Sequence, residues 1–532
     1  MRSLRNDILA RLPHHSWTRA SQHLALGCAA AALSALPPLD GPVKIDGPVK
    51  KAAPTPAELR EELEKSLRSD RPDKRRASVV RLAELGDRPA WELVLRALED
   101  PEPEVADEAQ LALGRVSDPK LLAELAGERG LRARDPWLRL RVAEALGRSP
   151  VELGCEVLVR ALDPGDAELS RTLLWSIERL NDAKRLGGDR TKAVEACERL
   201  VAGRGDGFVR AAALCALEKL DHFAAADKLL ASALADADPA LRCGAVAVYA
   251  RATEQECLDV SRRMLADPEL RVRAAAIVNL ERLQSRAAAL ALVEAMQREG
   301  RPRLRWQILG WLRAQSGLEL GFEPEAWRAW AEKLEGRVHT GEEHSRSGML
   351  GDTHVGFAGL NVLSDRVVFL IDLSGSLWGS KVGDRTRKEI VDEELRKALQ
   401  ALPEGTRFNV IPYTGTPDPW EKRLVPATKE NVARALDHFE RSHQTGRGNF
   451  FDAARLALLD PEVDTLCVLT DGVPTGGHRW NMGLMIELLV ELDRFRRVAY
   501  DSVLVDAPKR RQLDWAQLAE RTGGRSIAVK QE

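Results

Sequence analysis

The sequence predicts an α-solenoid of stacked helix pairs joined to a C-terminal α/β domain whose sheet is doubly wound and mostly parallel. Three observations favour this fold class. A unit of about 31 residues recurs along residues 55–316, and periods of about 20 to 50 residues are typical of solenoids. Aromatic residues make up only 5% of the chain, which suits close-packed helices better than a β-sandwich. From Asp365 onwards short apolar strands alternate with amphipathic helices, the pattern of a parallel sheet.

Composition and charge exclude several classes of function. The 532 residues are 44% apolar and 30% charged, and no apolar run reaches the roughly 18 residues of a membrane-spanning helix. The chain has 79 Lys and Arg residues and 81 Asp and Glu residues, so its formal net charge is 79 − 81 = −2. No overall field therefore draws the chain to nucleic acid or anionic lipid. We expect several domains, no nucleic-acid partner, no small-molecule substrate, and membrane contact only through an N-terminal anchor.

Residues 1–36 have the order of a secretory signal peptide or a short membrane anchor. An arginine-rich stretch precedes the apolar run 24–36, and two prolines end that run. The run is short for a membrane span, and the order fits export with cleavage after Ala35. A disordered tail or a wrongly assigned start codon is the alternative, because the basic stretch is long. We expect the periplasm or cell surface if the segment is a signal, the cytoplasm otherwise, and a flexible linker over residues 37–54.

The cysteines show no metal-binding pattern. They are Cys28, Cys155, Cys197, Cys215, Cys243, Cys257 and Cys467. None forms a CxxC or a Cys/His metal spacing, and several lie in apolar helical runs where a free thiol behaves as a small buried hydrophobe. We expect buried free thiols, with one disulfide between Cys215 and Cys243 as the alternative.

The repeated unit reads as a turn, an Asp-Pro pair and then an arginine near the start of an apolar helix. The Asp is expected to cap the helix and the Pro to occupy its first position, where a missing N–H costs nothing. The Asp-Pro pairs begin at Asp100, Asp135, Asp238 and Asp267. The anchor residues that define the repeat are Arg76, Asp107, Arg141, Arg171, Arg210, Arg242, Arg273 and Arg305. The intervals between successive anchors are 31, 34, 30, 39, 32, 31 and 32 residues. We interpret residues 181–192 as a loop insertion within the 39-residue interval. About eight helix pairs follow for residues 55–316.

The segments 135–147 (DPWLRLRVAEALG) and 267–280 match the motif D-P-x-x-x-V-R-x-x-A-x-x-A-L-G closely. This part of the chain resembles the short HEAT-like repeats. The resemblance implies one curved core and a long exposed surface, and such surfaces bind other proteins. An irregular helical bundle is the alternative, although the spacing is too regular to favour it. We expect the repeat arginines to be structural, bonding to carboxylates or carbonyls of the adjacent unit, rather than to form a functional basic stripe.

Residues 317–362 read as a short helix and a linker. Trp327 and Trp330 are three residues apart and therefore share one helix face, which predicts that this helix docks on the end of the solenoid. The polar, Gly-rich remainder contains His339, His344 and His354. These histidines have no metal-ligand spacing, so we interpret the remainder as linker.

The C-terminal domain carries its oxygen-rich motifs where strands end. The predicted strands are residues 366–372, 407–413, 464–471, 499–506 and 525–530. Asp372-Leu-Ser-Gly-Ser376 directly follows the first strand, and Thr470-Asp-Gly472 ends a later one. In doubly wound sheets, ligands bind outside the carboxyl ends of the strands. We therefore expect a functional site at this edge.

A D-x-S-x-S motif with a later T-D-G resembles the metal-ion-dependent adhesion site (MIDAS) of von Willebrand factor A-type (VWA) domains, which are Rossmann-like. The resemblance covers residues 363–532. It implies that Ser374 and Ser376 coordinate Mg²⁺ directly, with Mn²⁺ or Ca²⁺ as substitutes, and that Asp372 and Asp471 act mostly through water. Hard cations favour such oxygen donors. It also implies that an acidic side chain of a protein partner completes the metal site.

One ligand of that family pattern is missing. The segment 445–453 (TGRGNFFDA) aligns Gly448 with the family's ligand threonine, and glycine has no side-chain oxygen. Thr445, Asn449 or water are the candidate replacements, while Arg447 brings a positive charge that opposes a divalent cation. Arg447 and Trp378 are the candidate rim for a partner, with Trp378 either anchoring that partner or capping the strand ends. Whether the site holds a cation or is degenerate stays open.

No catalytic signature accompanies these motifs. The sequence has no nucleophile elbow, Walker loop, zinc signature or dinucleotide fingerprint, so we expect no enzyme and no catalytic residues. We predict a non-enzymatic adaptor or scaffold that binds partners through the solenoid surface and through the metal site. The alternative is a structural cell-envelope component with a metal-free VWA site. The resemblance alone does not identify a partner.

Overall fold

The computed structural model describes residues 54–221, 227–336, 356–375, 381–382, 384–442 and 446–529. Predictions for the signal segment, most of the linker after it and the three linker histidines therefore lie outside the described residues. The same is true of Ser376, Trp378 and Thr445. Within the described ranges, no helix combines the length and the apolar character needed to cross a membrane.

The first part of the chain is built from helix pairs. Its helices are α1 (Pro56–Ser66), α2 (Pro72–Leu85), α3 (Arg88–Ala97), α4 (Pro103–Leu113), α5 (Pro119–Leu125), α6 (Pro136–Leu146), α7 (Cys155–Val159), α8 (Ala167–Asp182), α9 (Arg190–Ala202), α10 (Gly207–Asp221), α11 (Asp227–Leu234), α12 (Pro239–Tyr249), α13 (Glu254–Met264), α14 (Leu270–Leu283), α15 (Arg286–Arg298) and α16 (Pro302–Ser316). Each even-numbered helix packs on the next even-numbered one, so these helices form a continuous layer. The predicted solenoid is confirmed.

The Asp-Pro pairs play two different roles. At Asp135 and Asp238 the carboxylate caps the helix as predicted, accepting from Leu138 N and Ala240 N at 2.8 Å. At Asp100 and Asp267 that prediction is wrong, because α4 and α14 begin at Pro103 and Leu270. These two carboxylates instead accept from arginines of the preceding repeat, as described next.

The structure corrects the register of the repeat anchors. In α2, α6, α10, α12 and α14 the fourth residue is an arginine that pairs with a carboxylate after the next odd-numbered helix or at the following helix start, whereas the fourth residue is Ala106 in α4 and Ser170 in α8. The pairs are Arg75 with Asp100, Arg139 with Asp166, Arg210 with Asp236, Arg242 with Asp267 and Arg273 with Glu299. We call the five arginines of these pairs, Arg75, Arg139, Arg210, Arg242 and Arg273, the ladder arginines. Arg210, Arg242 and Arg273 therefore have the structural role predicted for them. Arg76, Asp107, Arg141 and Arg171 lie one or two residues further along their helices, on another face.

The longest repeat interval is only partly a loop. Helix α8 continues to Asp182, and strand β2 (Leu186–Gly187) pairs in parallel with strand β1 (Leu153–Gly154) of the preceding repeat. Helix α9 begins at Arg190. The predicted insertion 181–192 thus adds a helix end and a short strand pair between neighbouring repeats.

Helix α17 (Pro324–Glu332) closes the solenoid. Trp327 is fully buried, packs in the hydrophobic cluster formed by the last helices, and donates its indole N–H to Gly321 O at 2.8 Å. Trp330 meets Trp327 edge to face at 5.9 Å between ring centroids and lies partly buried against the same cluster. The two indoles dock the helix on the end of the solenoid, as their spacing predicts.

The C-terminal domain contains a six-stranded sheet in the order β12-β11-β10-β5-β8-β9. Its strands are β5 (Arg366–Asp372), β8 (Arg407–Tyr413), β9 (Val425–Pro426), β10 (Thr465–Thr470), β11 (Ala499–Val505) and β12 (Ser526–Val529). All neighbours are parallel except β9, which runs antiparallel to β8. The two-stranded pairs β3 (Gly356–Phe357) with β4 (Leu360–Asn361) and β6 (Lys381–Val382) with β7 (Arg385–Thr386) lie outside this sheet. The predicted doubly wound domain is confirmed.

Helices cover the sheet. They are α18 (Arg387–Gln400), α19 (Lys429–Arg441), α20 (Phe450–Ala457), α21 (Met482–Asp493) and α22 (Lys509–Thr522). The domain core also includes the β3–β4 hairpin, because Phe357 is buried against Phe369 with ring centroids 5.3 Å apart. The domain therefore begins before the predicted boundary at residue 363, inside the stretch interpreted as linker.

The six cysteines of the described residues are all buried and free. The Sγ of Cys215 lies 4.0 Å from Gly244 O, and the Sγ of Cys243 lies 3.5 Å from Arg271 O. The alternative of a disulfide between these two cysteines is therefore wrong for this structure. Burial raises the pKa of Cys197 and of Cys215 to about 12, which keeps both thiols protonated near neutral pH.

The C-terminal domain packs against the layer of even-numbered helices. Phe495 of this domain is fully buried within the hydrophobic cluster of the solenoid, and Trp137 of α6 packs against the cluster of the C-terminal domain. Trp137 stacks on His478 at 3.8 Å and meets Phe451 edge to face at 6.4 Å. Part of the surface predicted to be free for partners is thus covered by the chain itself.

Asp107 of α4 is the polar centre of this contact. It is 1% exposed, and its Oδ2 accepts from the backbone N–H groups of Trp480 and Asn481 at 2.7 and 2.8 Å. Its Oδ1 accepts from Arg141 and Arg479. Arg141 also donates to His478 O at 2.8 Å. Ion pairs between the two parts are Glu102 with Arg447, Glu168 with Arg455, Glu178 with Arg494 and Asp365 with Arg301.

Candidate functional site

The predicted site residues meet where the sheet changes direction. Strand β5 lies between β8, which follows it in the chain, and β10, which belongs to the other half of the sheet. The register pairs Ile371 with Leu469, so Asp372 and Asp471 end adjacent parallel strands. Such a switch point opens a crevice outside the carboxyl ends of the strands. The structure therefore brings the D-x-S and T-D-G segments together.

Asp372 is held in one orientation by neighbouring donors. It is 1% exposed, its Oδ1 accepts from Ser374 N at 2.9 Å, and its Oδ2 accepts from Thr470 Oγ1 at 2.7 Å. Burial, and then the nearby negative charge of Asp471, raise the pKa of Asp372 to about 6. Removing a carboxylate from water disfavours its charged form. Thr470 was not singled out from the sequence, although it is the first letter of the T-D-G motif.

Ser374 and Asp471 supply the other oxygens of the described site. Ser374 is 6% exposed. Asp471 is half-buried and accepts from Val473 N at 3.2 Å through Oδ1. Two carboxylates and one hydroxyl thus surround the switch point, and these are donors that hard cations prefer.

Gly448 lies directly against the carboxylate of Asp372. A Cβ added to Gly448 would be 3.3 Å from each carboxylate oxygen of Asp372. The glycine N–H donates to Thr475 Oγ1 at 2.8 Å, and its carbonyl accepts from Thr475 N at 3.0 Å. Gly448, which aligns with the ligand threonine of the family pattern, therefore does lie at the site. Its backbone is hydrogen-bonded to Thr475, and it has no side-chain oxygen to offer. Thr475 itself was not predicted, since nothing in its sequence context marks it.

Asn449 has a structural role. Its Oδ1 accepts from Asp452 N at 3.2 Å and caps α20. Its Nδ2 donates to Gly415 O at 3.0 Å and to Asp452 Oδ2 at 2.8 Å. Of the candidate replacements for the missing ligand, Asn449 thus has its amide oxygen in a helix cap rather than at Asp372.

Arg447 is turned towards the solenoid. Its guanidinium forms an ion pair with Glu102, which is the N-cap residue of α4. That carboxylate raises the pKa of Arg447. The positive charge that the sequence placed next to the metal site is therefore balanced by an acid from the other part of the chain. Arg447 remains half-exposed, with 51% of its side chain accessible.

The oxygen donors fit a hard cation in part. Asp372 and Ser374 are buried, Asp471 is half-buried, and burial followed by the charge of Asp471 raises the pKa of Asp372. A bound cation relieves such like-charge repulsion. Gly448 leaves one family position without a side-chain ligand. Within the described ranges, no group of three or more His, Cys, Asp or Glu residues is placed so that it could hold a metal ion.

Comparison with known proteins identifies the repeats. The family description "HEAT repeats" matches residues 60–147. Two curated relatives are inter alpha-trypsin inhibitor heavy chain 4 of Mus musculus, 35% identical over 131 residues, and inter-alpha-trypsin inhibitor heavy chain H4 of Homo sapiens, 36% identical over 132 residues. The matches cover 22% and 23% of this chain and only 13% and 14% of those relatives.

Solved structures resemble each part at low identity. A von Willebrand factor type A protein from Catenulispora acidiphila is 18% identical with a TM-score of 0.26, covering 31% of this chain and 38% of that chain. The CpcE–CpcF complex of phycocyanin lyase from Nostoc is 19% identical with a TM-score of 0.24, covering 56% of this chain and 100% of that chain. Likenesses of this size say nothing about activity. The repeat match and the sheet topology support HEAT-like repeats followed by a doubly wound α/β domain, which we call the VWA domain after the resemblance of its motifs.

Proposed function

We propose that this chain is a non-enzymatic interaction protein whose VWA domain binds a protein partner through a divalent cation. Repeat and VWA-like domains support a role in protein interaction in general. The cation would be Mg²⁺, with Mn²⁺ or Ca²⁺ as substitutes, held by Asp372, Ser374 and Asp471 together with Ser376 and water. When bound, it supplies a positive charge that attracts an acidic side chain of the partner.

The observation that carries this proposal is the pairing of Asp372 with Asp471 at the switch point. Folding buries Asp372 almost completely beside a second carboxylate, which is costly unless a compensating charge is available. Ser374 N and Thr470 Oγ1 hold the carboxylate in place without neutralising it.

The solenoid supports the loops of this site. Gly448 is bound to Thr475, and the loop that contains Thr475 continues to Trp480 and Asn481, which dock on Asp107. Arg447 is drawn away by Glu102. We propose that the solenoid fixes these loops and removes a charge that would compete with the cation.

Calorimetric titration of Mg²⁺ and of Mn²⁺ into the full chain tests the metal proposal. The wild type is expected to release or absorb heat at one site, and the double substitution Ser374→Ala, Ser376→Ala is expected to abolish that heat. Ser232→Ala is the matched control, since its exposed hydroxyl lies in the solenoid. Equal heat in wild type and double variant, or none at millimolar metal, would rule out an occupied site.

The second candidate is a structural component, part of the cell envelope if the chain is exported, with a metal-free VWA site. Two observations favour it: both carboxylate oxygens of Asp372 already accept hydrogen bonds, and Gly448 offers no ligand. In that case association with other components would be insensitive to EDTA, whereas the metal-dependent function predicts that EDTA and Asp372→Ala both abolish partner binding.

A further inference from the structure

Residues 475–481 run from the candidate metal site to the solenoid, and we call them the bridging loop. The loop lies between β10 and the start of α21. Its first residue binds Gly448 on the VWA domain, and the N–H groups of its last two residues dock on Asp107 of α4. The two contacts therefore share one short piece of chain.

At the metal-site end, Thr475 holds both polar backbone groups of Gly448. The Gly448 N–H donates to Thr475 Oγ1 at 2.8 Å, and the Thr475 N–H donates to Gly448 O at 3.0 Å. Gly476 N donates to the same carbonyl at 3.3 Å. Gly448 in turn lies against the carboxylate of Asp372. Thr475 thus fixes the backbone at the position where the family pattern has its ligand threonine.

The segment 446–449 is also tied to the D-x-S motif. Gly375 N donates to Gly446 O at 3.1 Å, and Ser374 N, one residue earlier, donates to Asp372 Oδ1 at 2.9 Å. Hydrogen bonds therefore run without a gap from the carboxylate of Asp372 through segment 446–449 to the bridging loop.

The bridging loop packs on this segment too closely for side chains to fit between them. A Cβ added to Gly476 would lie 2.7 Å from Cβ of Arg447, and one added to Gly477 would overlap Oδ1 of Asn449. Gly477 also has a φ of +87°, which favours glycine. Because the two pieces of chain touch directly, a displacement of the bridging loop would also release segment 446–449.

At its other end, the bridging loop is held by α4 of the solenoid. Asp107 Oδ2 accepts from Trp480 N and Asn481 N at 2.7 and 2.8 Å. Arg479 is 1% exposed and donates to Gln110 Oε1 at 2.6 Å. Since both acceptors belong to α4, the loop loses these partners whenever the VWA domain and the solenoid separate.

We propose that Thr475 is a positioning residue for the metal site, and that docking on the solenoid holds this site closed through the bridging loop. In the closed site, Thr475 keeps Gly448 against Asp372. An undocked loop would free segment 446–449 to move away from the carboxylate. A cation that binds the closed site more tightly must, by linkage, also strengthen docking. The metal part of this inference rests on the function proposed above, whereas the coupling of the two loop ends is a property of the chain itself.

Amide hydrogen exchange of the full chain without metal tests the coupling. The Gly448 N–H donates to Thr475 rather than to Asp107, so its exchange rate responds to Asp107→Ala only through the bridging loop. We expect exchange at Gly448 to be at least about fivefold faster in Asp107→Ala than in wild type. Trp137→Leu, which removes the stack on His478 of the loop, is the milder variant and should accelerate it about twofold.

Arg242→Met is the matched control for general loosening of the solenoid. It breaks the ladder pair with Asp267 and leaves the Asp107 contact intact, so exchange at Gly448 should stay at the wild-type rate. Equal exchange at Gly448 in wild type, Asp107→Ala and Trp137→Leu would overturn the coupling. An equal acceleration by Arg242→Met would also overturn it, because the effect would then be one of overall stability.

Calorimetric titration of Mg²⁺ tests the positioning role of Thr475. Thr475→Val keeps the side-chain volume but removes the hydroxyl that accepts from Gly448 N. The apparent affinity is expected to fall about fivefold or more, because a smaller fraction of the chain has the closed site. Thr475→Ser keeps a hydroxyl and should retain wild-type affinity. Wild-type affinity in Thr475→Val would overturn the positioning role.

The reciprocal effect of metal on docking completes the test. Saturating Mg²⁺ is expected to slow exchange of Trp480 and Asn481 in wild type about fivefold, and to have no such effect in the Ser374→Ala, Ser376→Ala double variant. Heat of binding without any slowing would contradict the coupling. Absence of heat in wild type would contradict the metal function alone, and exchange at Gly448 would still decide whether docking holds the loop.

Discussion

The even-numbered helices of the solenoid carry two stripes of charged residues that perform different tasks. The five ladder arginines, at the fourth position of α2, α6, α10, α12 and α14, join their repeats to the next one, as Arg242 does with Asp267. The residues one or two positions later face the VWA domain, and we call Asp107, Arg141 and Arg171 the docking stripe. One residue along a helix is a rotation of about 100°. Near-neighbours in the sequence therefore serve two different contacts.

The two stripes also differ in what their charges meet. Arg242 donates twice to Asp267, at 2.8 and 2.9 Å, so each ladder pair is neutral by itself. In the docking stripe, Asp107 accepts from two arginines and two backbone N–H groups, and Arg171 donates to the carbonyls of Glu491 and Leu492. The ladder can form repeat by repeat, whereas the docking stripe is satisfied only when both parts of the chain are folded and in contact.

Substitution of the docking carboxylate should have the largest effect. Asp107→Ala leaves Arg141 and Arg479 buried without their acid and leaves two backbone N–H groups without an acceptor. Removing one partner of a buried pair costs about 3 to 5 kcal/mol. Urea unfolding of the full chain is expected to show this loss. Asp118→Ala, at the exposed N-cap of α5, is the control and should cost about 1 kcal/mol.

The pH dependence of stability tests the contact between Arg171 of the docking stripe and α21, where Glu491 is buried. Burial raises the pKa of Glu491 to about 7, above its ordinary value of 4.5. The folded chain therefore binds this proton more tightly than the unfolded chain, so stability increases as pH falls from 8 towards 5. Glu491→Gln is expected to be more stable than wild type at pH 8, by about 3 kcal/mol at most, and similar to it near pH 5.

Urea unfolding at several pH values measures this difference. Glu487→Gln, one turn earlier on α21 and paired at the surface with Arg521, is the matched control and should follow the wild-type profile. A wild-type stability that rises with pH relative to Glu491→Gln would contradict the raised pKa.

Substitution in the ladder should cost less and act locally. Arg242→Met removes two hydrogen bonds from Asp267, whose side chain is 6% exposed but also accepts from Glu269 N. We expect a loss of about 2 kcal/mol, because the carboxylate keeps a backbone donor. Limited proteolysis should then show new cleavage near α12 to α14 while the VWA domain remains docked. Release of the VWA domain by this variant would show that the two stripes are not separate.

The smallest expected effect concerns the aromatic contact beside Asp107. Trp137→Leu keeps apolar volume but removes the stack on His478 and the guanidinium contact of Arg455. Aromatic and cation–π contacts of this kind contribute about 1 kcal/mol each. Thermal unfolding is expected to shift by a few degrees. Trp306→Leu is the control. Trp306 meets Phe322 with ring centroids 4.8 Å apart, so this variant removes an aromatic contact outside the Asp107 region.

The sequence was sufficient for the architecture because the relevant signals are local. Apolar periodicity and alternating strands and helices predict elements one by one, whereas the order of the strands in the sheet comes from the structure. The ladder register was missed at Arg75 and Arg139 because another arginine stands one or two residues later, as Arg76 does after Arg75, and α4 and α8 have no ladder arginine. Sequence spacing alone does not show which of two adjacent charges faces the next repeat.

The site shows a similar limit. Asp372, Ser374 and Asp471 were predictable because motif and strand end coincide, and Gly448 because it aligns with a ligand position. The roles of Thr475 and Glu102 were not predictable, because each contacts a residue that is distant in the sequence: Thr475 binds Gly448, and Glu102 binds Arg447. Asp107 did carry a signal: it is the one acid among the eight anchors, and it lies at the polar centre of the contact with the VWA domain.

Gly448→Thr tests directly whether the missing ligand is what weakens the metal site. The added Cβ would lie 3.3 Å from Asp372, so the carboxylate must shift slightly while the new hydroxyl adds an oxygen donor. If the site holds a cation, calorimetry is expected to show Mg²⁺ affinity several-fold above wild type. Gly446→Thr, two residues away, is the control and should leave the affinity unchanged.

The central structural claim is that the VWA domain docks on the solenoid through Asp107. Amide hydrogen exchange of residues 479–481 in the full chain measures it, because the N–H groups of Trp480 and Asn481 donate to Asp107. We expect slow exchange in wild type and in Arg242→Met, and exchange at least about tenfold faster in Asp107→Ala. Equal exchange rates in wild type and Asp107→Ala would contradict the docked arrangement.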